Sequence, residues 1–127
     1  MILIIGGSSQ GKTQFAKTLL KVEEDKITDG GSCVLEEAFT GPVLNKLQVL
    51  IQRLKEADFD AGKFILEGIK KNPEITIICD ELGLGVVPVE QKDRERQELI
   101  GRIQCQIAQK ADKVYRVHCS IPVLIKG

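Results

Sequence analysis

Apolar residues in this chain fall into short blocks, and the spacing inside each block predicts an element. Residues 2–5, ILII, are apolar without a break and are closed by Gly6 and Gly7. A run that short and that continuous predicts a strand buried on both faces. In 12–22, KTQFAKTLLKV, Phe15, Ala16, Leu19 and Leu20 recur at helical spacing, which predicts an amphipathic helix. The polar stretch VEEDKITDGGS at 22–32 reads as a loop, and SCVLEE at 32–37 as a short strand ending in two acids. PVLNKLQVLIQRLKEA at 42–57 opens on Pro42, a residue suited to the first helical position, and repeats its apolar residues with a 3-4 period. That pattern predicts a helix from Pro42 onward. Residues 59–71, with Phe64, Ile65 and Ile69 inward, are expected to extend that helix or to follow it as a second one, stopped by Asn72-Pro73.

EITIICDE at 74–81 is β-branched and apolar and ends in Asp80 and Glu81, which predicts another buried strand. LGLGVVPVE at 82–90 reads as a loop or short strand. Residues 90–110 predict a helix whose first half is charged all round and whose second half carries Leu99, Ile100, Ile103 and Ile107 on one face. VYRVHC at 114–119 predicts a strand. IPVLI at 121–125 predicts a last one, at an edge because of Pro122. Strands that alternate with helices argue for a doubly wound, mostly parallel sheet in three layers, α/β/α. With neither repeats nor a linker, 1–127 is expected to form one domain.

Composition narrows the function. Lysine plus arginine and aspartate plus glutamate both number 18, so the net charge is zero. Nucleic-acid coats and membrane-surface binders need a basic excess, so neither is expected as a partner. Among four cysteines no pair has C-x-x-C spacing, and His118 is the only histidine, which argues against a zinc site. Cys79 and Cys119 stand in or beside apolar runs and are expected as buried, reduced thiols. Without an apolar run of about 20 residues or a basic leader, the chain is expected in the cytoplasm.

The chemistry is carried by the order G-x-x-x-x-G-K-T at 6–13. A phosphate chain carries several negative charges, and a small protein grips it by converging many donors on a small volume. A loop between a strand and a helix supplies backbone N–H groups at the positive end of that helix. Gly6 and Gly11 allow close approach, while Gly7, Ser8, Ser9 and Gln10 complete the loop. Lys12 would meet the β- and γ-phosphates, and the Thr13 hydroxyl would hold magnesium. The motif follows an apolar strand and opens an amphipathic helix, the context of a P-loop nucleoside triphosphate hydrolase-like domain. A second acid at the end of a neighbouring strand commonly helps to hold magnesium. The strand ends offer Asp80 with Glu81, or Glu36 with Glu37, and position in the sequence does not choose between them. Arg94, Arg96 and Arg102 could stabilise a moving phosphoryl group, but salt bridges on a solvated helix face account for them more simply.

Four segments resemble the bifunctional adenosylcobinamide kinase/adenosylcobinamide-phosphate guanylyltransferase family of cobalamin biosynthesis. They are ILIIGGSSQGKT, IICDELGLGVVP, the Arg94…Gly101-Arg102 spacing and ADKVYRVHCSIPVLIK, with Ser120 in place of a glycine. The resemblance implies the P-loop fold, binding of ATP or GTP with magnesium, phosphoryl transfer to a hydroxyl of adenosylcobinamide, and a homotrimer. The family holds its guanylyl-accepting histidine in a long segment after the first helix. Here VEEDKITDGGS fills that place without a histidine, so the resemblance does not extend to guanylyl transfer. The expected site is thus Lys12, Asp80 and Glu36 for catalysis, residues 6–13 for the nucleotide, and Thr13 with Asp80 or Glu36 for the metal. The alternative is a nucleotide-binding regulator or subunit without transfer activity.

Overall fold

A computed structural model describes residues 1–81 and 89–127. The segment LGLGVVP at 82–88, read above as loop or short strand, lies outside the described residues. In chain order the elements are β1 (Ile2–Gly6), α1 (Lys12–Leu20), β2 (Ile27–Asp29), β3 (Val43–Asn45), α2 (Leu47–Glu56), α3 (Ala61–Lys71), β4 (Thr76–Asp80), α4 (Gln91–Lys110), β5 (Lys113–His118) and β6 (Ile121–Lys126). The described strands form one six-stranded sheet in the order β2-β3-β4-β1-β5-β6. Every pairing is parallel except β5 with β6, which is antiparallel.

The pleat sorts side chains onto two faces. Leu3, Leu44, Ile77, Cys79 and Val114 join α2, α3 and α4 in the larger core. Ile4, Val43, Ile78 and Val117 pack with Ala16 of α1 in a smaller one. The fold is therefore a three-layer α/β sandwich, mostly parallel, with three helices on one face and α1 on the other. Both cores are dominated by aliphatic residues with essentially no exposure. Among the described residues no helix is long and apolar enough to cross a membrane.

Strand order creates a crevice. β1 and β4 are neighbours, with Gly6 level with Asp80. The helix that follows β1, α1, packs on one face of the sheet, and the helix that follows β4, α4, packs on the other. Adjacent strands that part to opposite faces leave a cleft at their carboxyl ends, where ligands of such sheets bind.

Four expectations are corrected. The predicted loop at 22–32 contains β2, because Ile27 packs into the smaller core and pairs with Val43. The predicted strand at 32–37 is a chain of tight turns instead. Cys33 N–H donates to the Asp29 carbonyl, and Glu37 N–H to the Val34 carbonyl at the 3-10 turn Leu35–Glu37. The helix predicted from Pro42 begins only at Leu47. Val43 and Leu44 belong to β3, where one faces each core. Cys119 is exposed at the β5–β6 turn rather than buried, whereas Cys79 is buried as expected.

Candidate functional site

Residues 7–11 link β1 to α1, and their backbone is held in an unusual path. Gly6 has φ 156°, and a Cβ there would lie 2.4 Å from the Val117 carbonyl oxygen. Gly11, the residue before α1, has φ 90°, and a Cβ would meet Ser120 Oγ at 2.7 Å. Both glycines are thus required by position and not by flexibility. Ser9 adopts a left-handed φ of 59°. The turn between β5 and β6 braces the loop from outside. Ser120 N–H donates to the Gln10 carbonyl at 2.9 Å, and Cys119 N–H donates to Gln10 Oε1 at 2.6 Å.

Residues 8–14 line one wall of a cavity of about 340 Å³; Asn45, Lys46, Gln48 and Asp80 line the rest. Lys12 is buried at 6% exposure, and its ammonium donates to the Gly7 carbonyl at 2.6 Å and pairs with Asp80 Oδ1 at 2.7 Å. A charge that far from water needs such partners. The Thr13 hydroxyl accepts from Asn45 Nδ2 at 3.3 Å. Asp80 and Asn45 both face α1 because they share strand parity with Ile78 and Val43.

The backbone of Asp80 is fixed by glutamines from two helices. Gln48 Oε1 of α2 accepts from Asp80 N–H at 3.1 Å, and Gln104 Nε2 of α4 donates to the Asp80 carbonyl at 3.1 Å. Beneath it, burial pushes the Cys79 thiol up to about 12, with the Gln104 hydrogen bond acting in the opposite direction. Cys79 is therefore a neutral packing residue here.

The pleat separates the paired acids. Glu81 points to the other face and takes Arg116 in a two-pronged pair at 2.7 and 2.5 Å. That carboxylate holds the Arg116 guanidinium above its ordinary value. Together with Gly6, Gly7 and His118 the pair lines a separate cavity of about 290 Å³ behind the loop. Glu36 is not brought to the phosphate loop. It is exposed on the 3-10 turn and lines a third cavity with Phe39, Phe64 and Lys71. The expectation that Glu36 serves catalysis or metal binding is corrected on that ground, since it depended on a strand that does not form. Arg96 reaches Gln52 at 3.3 Å and Asp93 at 3.8 Å, and Arg94 donates to the Val89 carbonyl at 2.9 Å, away from the loop.

Sequence reasoning missed Asn45, Lys46 and Gln48, all of them in the segment read as one long helix. The signal that could have separated them is Thr40-Gly41-Pro42, a turn sequence directly before VLN. Asp29, at the end of the missed β2, faces Lys46 across the strand ends with Oδ2 3.6 Å from Nζ.

No functionally curated protein matches the chain. Residues 25–125 match a family described as cobinamide kinase / cobinamide phosphate guanyltransferase. The phosphate loop at 6–13 precedes the matched span, so its reading stands on its own spacing and geometry. The match takes in β2 through β5 and nearly all of β6, including Asn45, Asp80 and both helices that fix Asp80. A match over that much of the chain makes it a member of the cobinamide kinase / cobinamide phosphate guanyltransferase family.

Proposed function

We propose that the chain is a P-loop kinase of cobalamin biosynthesis, acting as one nucleotide-binding domain on ATP or GTP with a cobinamide as phosphoryl acceptor. The carrying observation is the Lys12 ammonium, buried at the mouth of the β1–β4 crevice and tied to Gly7 and Asp80. A cation held there has little freedom to lose when a polyphosphate arrives, so its charge is preorganised for the β- and γ-phosphates. Residues 6–13 wrap the phosphate chain, with first-turn amides of α1 as additional donors. In the transfer the bond from the γ-phosphorus to the β–γ bridging oxygen breaks and ADP or GDP leaves with its electron pair, while a bond forms to the acceptor hydroxyl oxygen, whose proton is released to solvent.

The donor set suits a hard divalent cation. Thr13 Oγ and the Asp80 carboxylate are oxygen donors lining one cavity that could serve as ligands, and magnesium needs few protein ligands beside the phosphates. Bound there, it would neutralise phosphate charge. The cavity is the size of a polyphosphate and not of a corrinoid, so the acceptor would lie across its open side. Self-association, which the family resemblance implies, would cover the exposed β6.

Labelled ATP or GTP, magnesium and adenosylcobinamide provide the test. Phosphorylated corrinoid is the expected product, and Lys12→Ala should remove both nucleotide binding and transfer. Undiminished nucleotide binding by Lys12→Ala would overturn the site. Tight binding without transfer would identify the alternative, a nucleotide-binding relative. The absence of histidine from 22–32 favours that second reading for guanylyl transfer.

A further inference from the structure

We infer that Lys46 is a second catalytic cation, which contacts the oxygens of the phosphoryl group in flight from the wall facing Lys12. The inference rests on the nucleotide reading of the loop. Lys12 shares its charge with Asp80, so the extra negative charge that spreads over a phosphoryl group in transfer calls for a second cation. Lys46 lines the same cavity from the end of β3.

Its backbone is left-handed, with φ 59° and ψ 48°. A lysine there carries a steric cost that glycine or asparagine would avoid. Such strain is retained where the surroundings enforce it, and it collects at functional sites. The surroundings here do enforce it. Lys46 N–H donates to Asn45 Oδ1 at 2.8 Å, and its carbonyl accepts from Val49 and Leu50 N–H at 3.0 and 3.2 Å. The root of the side chain is rigid, while the ammonium lies 3.6 Å from Asp29 Oδ2 and the side chain is half exposed. Asp29 is itself engaged by Gly31 N–H at 2.8 Å, so it aims Lys46 without fully using its charge.

Asn45 joins the two walls. Its carbonyl oxygen holds the Lys46 amide, and its amide group donates to Thr13 Oγ. Hydrogen bonds through Asn45 therefore tie the Lys46 backbone to the first turn of α1. Charge that spreads over the phosphoryl oxygens during transfer would meet donors on both sides, and only donors placed beforehand act on the transition state at no further reorganisation cost.

The test needs no acceptor. Magnesium-ADP is titrated into the full chain with and without aluminium fluoride, which stands in for the moving phosphoryl group. The parent is expected to bind ADP and to tighten when fluoride is added. Lys46→Asn, which suits the left-handed backbone, should keep ADP affinity within about twofold and lose at least about tenfold of the tightening. Lys46→Arg should restore most of it. Equal tightening in Lys46→Asn and parent would overturn the role of Lys46 and leave the loop reading standing. So would an equal loss of ADP and fluoride-complex affinity, because that reports uniform binding. A parent that binds no ADP would overturn the loop reading, and the inference with it.

Discussion

Asp29 shows how a single backbone amide sets a charge. The Gly31 N–H holds its carboxyl below the ordinary 3.8, burial opposes this, and the Lys46 ammonium adds to it. Because the leading cause survives in Lys46→Asn, that substitution should raise the Asp29 pKa only part of the way back, as read by carboxyl NMR titration. The sign for stability follows from the lowered value. Asp29 contributes fully above 3.8 and loses its contribution as pH falls through its lower folded pKa. Asp29→Asn should therefore flatten the acid limb of a pH–stability curve. At this scale the loop was legible, because glycine, lysine and threonine at fixed spacing leave few physical alternatives. Asp80 was legible as one of several acids, and only the pleat separates it from Glu81. Lys46 was not legible. A lysine between Asn45 and Leu47 in a run of helical period looks like any solvated helix position until the backbone turns left-handed beneath it.

At the scale of elements, α1, α3, α4 and the long strands carried their periods openly, and short strands did not. Three residues, ITD or VLN, are too few to show alternation, and Val43 and Leu44 happen to fall in phase with the helix that follows. The segment at 32–37 has strand-like composition. Its backbone, however, is used up in turns and by Arg53, which donates to the Gly30 and Cys33 carbonyls at 2.8 and 2.7 Å. The segment then enters the core through Phe39, which lies flat on α3. A Cβ on Gly68 would sit 2.4 Å from that ring. The ring cannot retreat easily, because Asn72 Nδ2 donates to the Phe39 carbonyl at 2.9 Å. Gly68→Ala is expected to destabilise the fold by about 1–3 kcal/mol through overpacking, measured by urea unfolding. A cost near zero would mean that the turn at 35–40 is looser than this packing implies.

For the whole molecule, the uneven layers matter most. Three helices cover one face and the nine-residue α1 packs on the other, yet neither layer buries β6. β6 is exposed along its whole length, with Ile121, Val123, Leu124 and Ile125 at 65, 53, 47 and 55%. A hydrophobic edge strand offers unpaired backbone groups and apolar side chains together, a combination that single chains usually blunt with charge. Here the charge comes only at Lys126, whose ammonium is engaged with the Ala108 and Gln109 carbonyls at the end of α4. Burial of β6 between copies of the chain would remove the liability. It would also stiffen the Cys119–Ser120 turn that braces Gln10 of the phosphate loop. Light scattering on the parent should then show an oligomer, and Val123→Lys should shift it toward single chains with unchanged circular dichroism. Because the turn and the loop share hydrogen bonds, the dissociated variant should also bind ADP more weakly. A parent that stays a single chain at all concentrations would sink this account of β6, and a dissociated variant with full ADP affinity would sink the coupling.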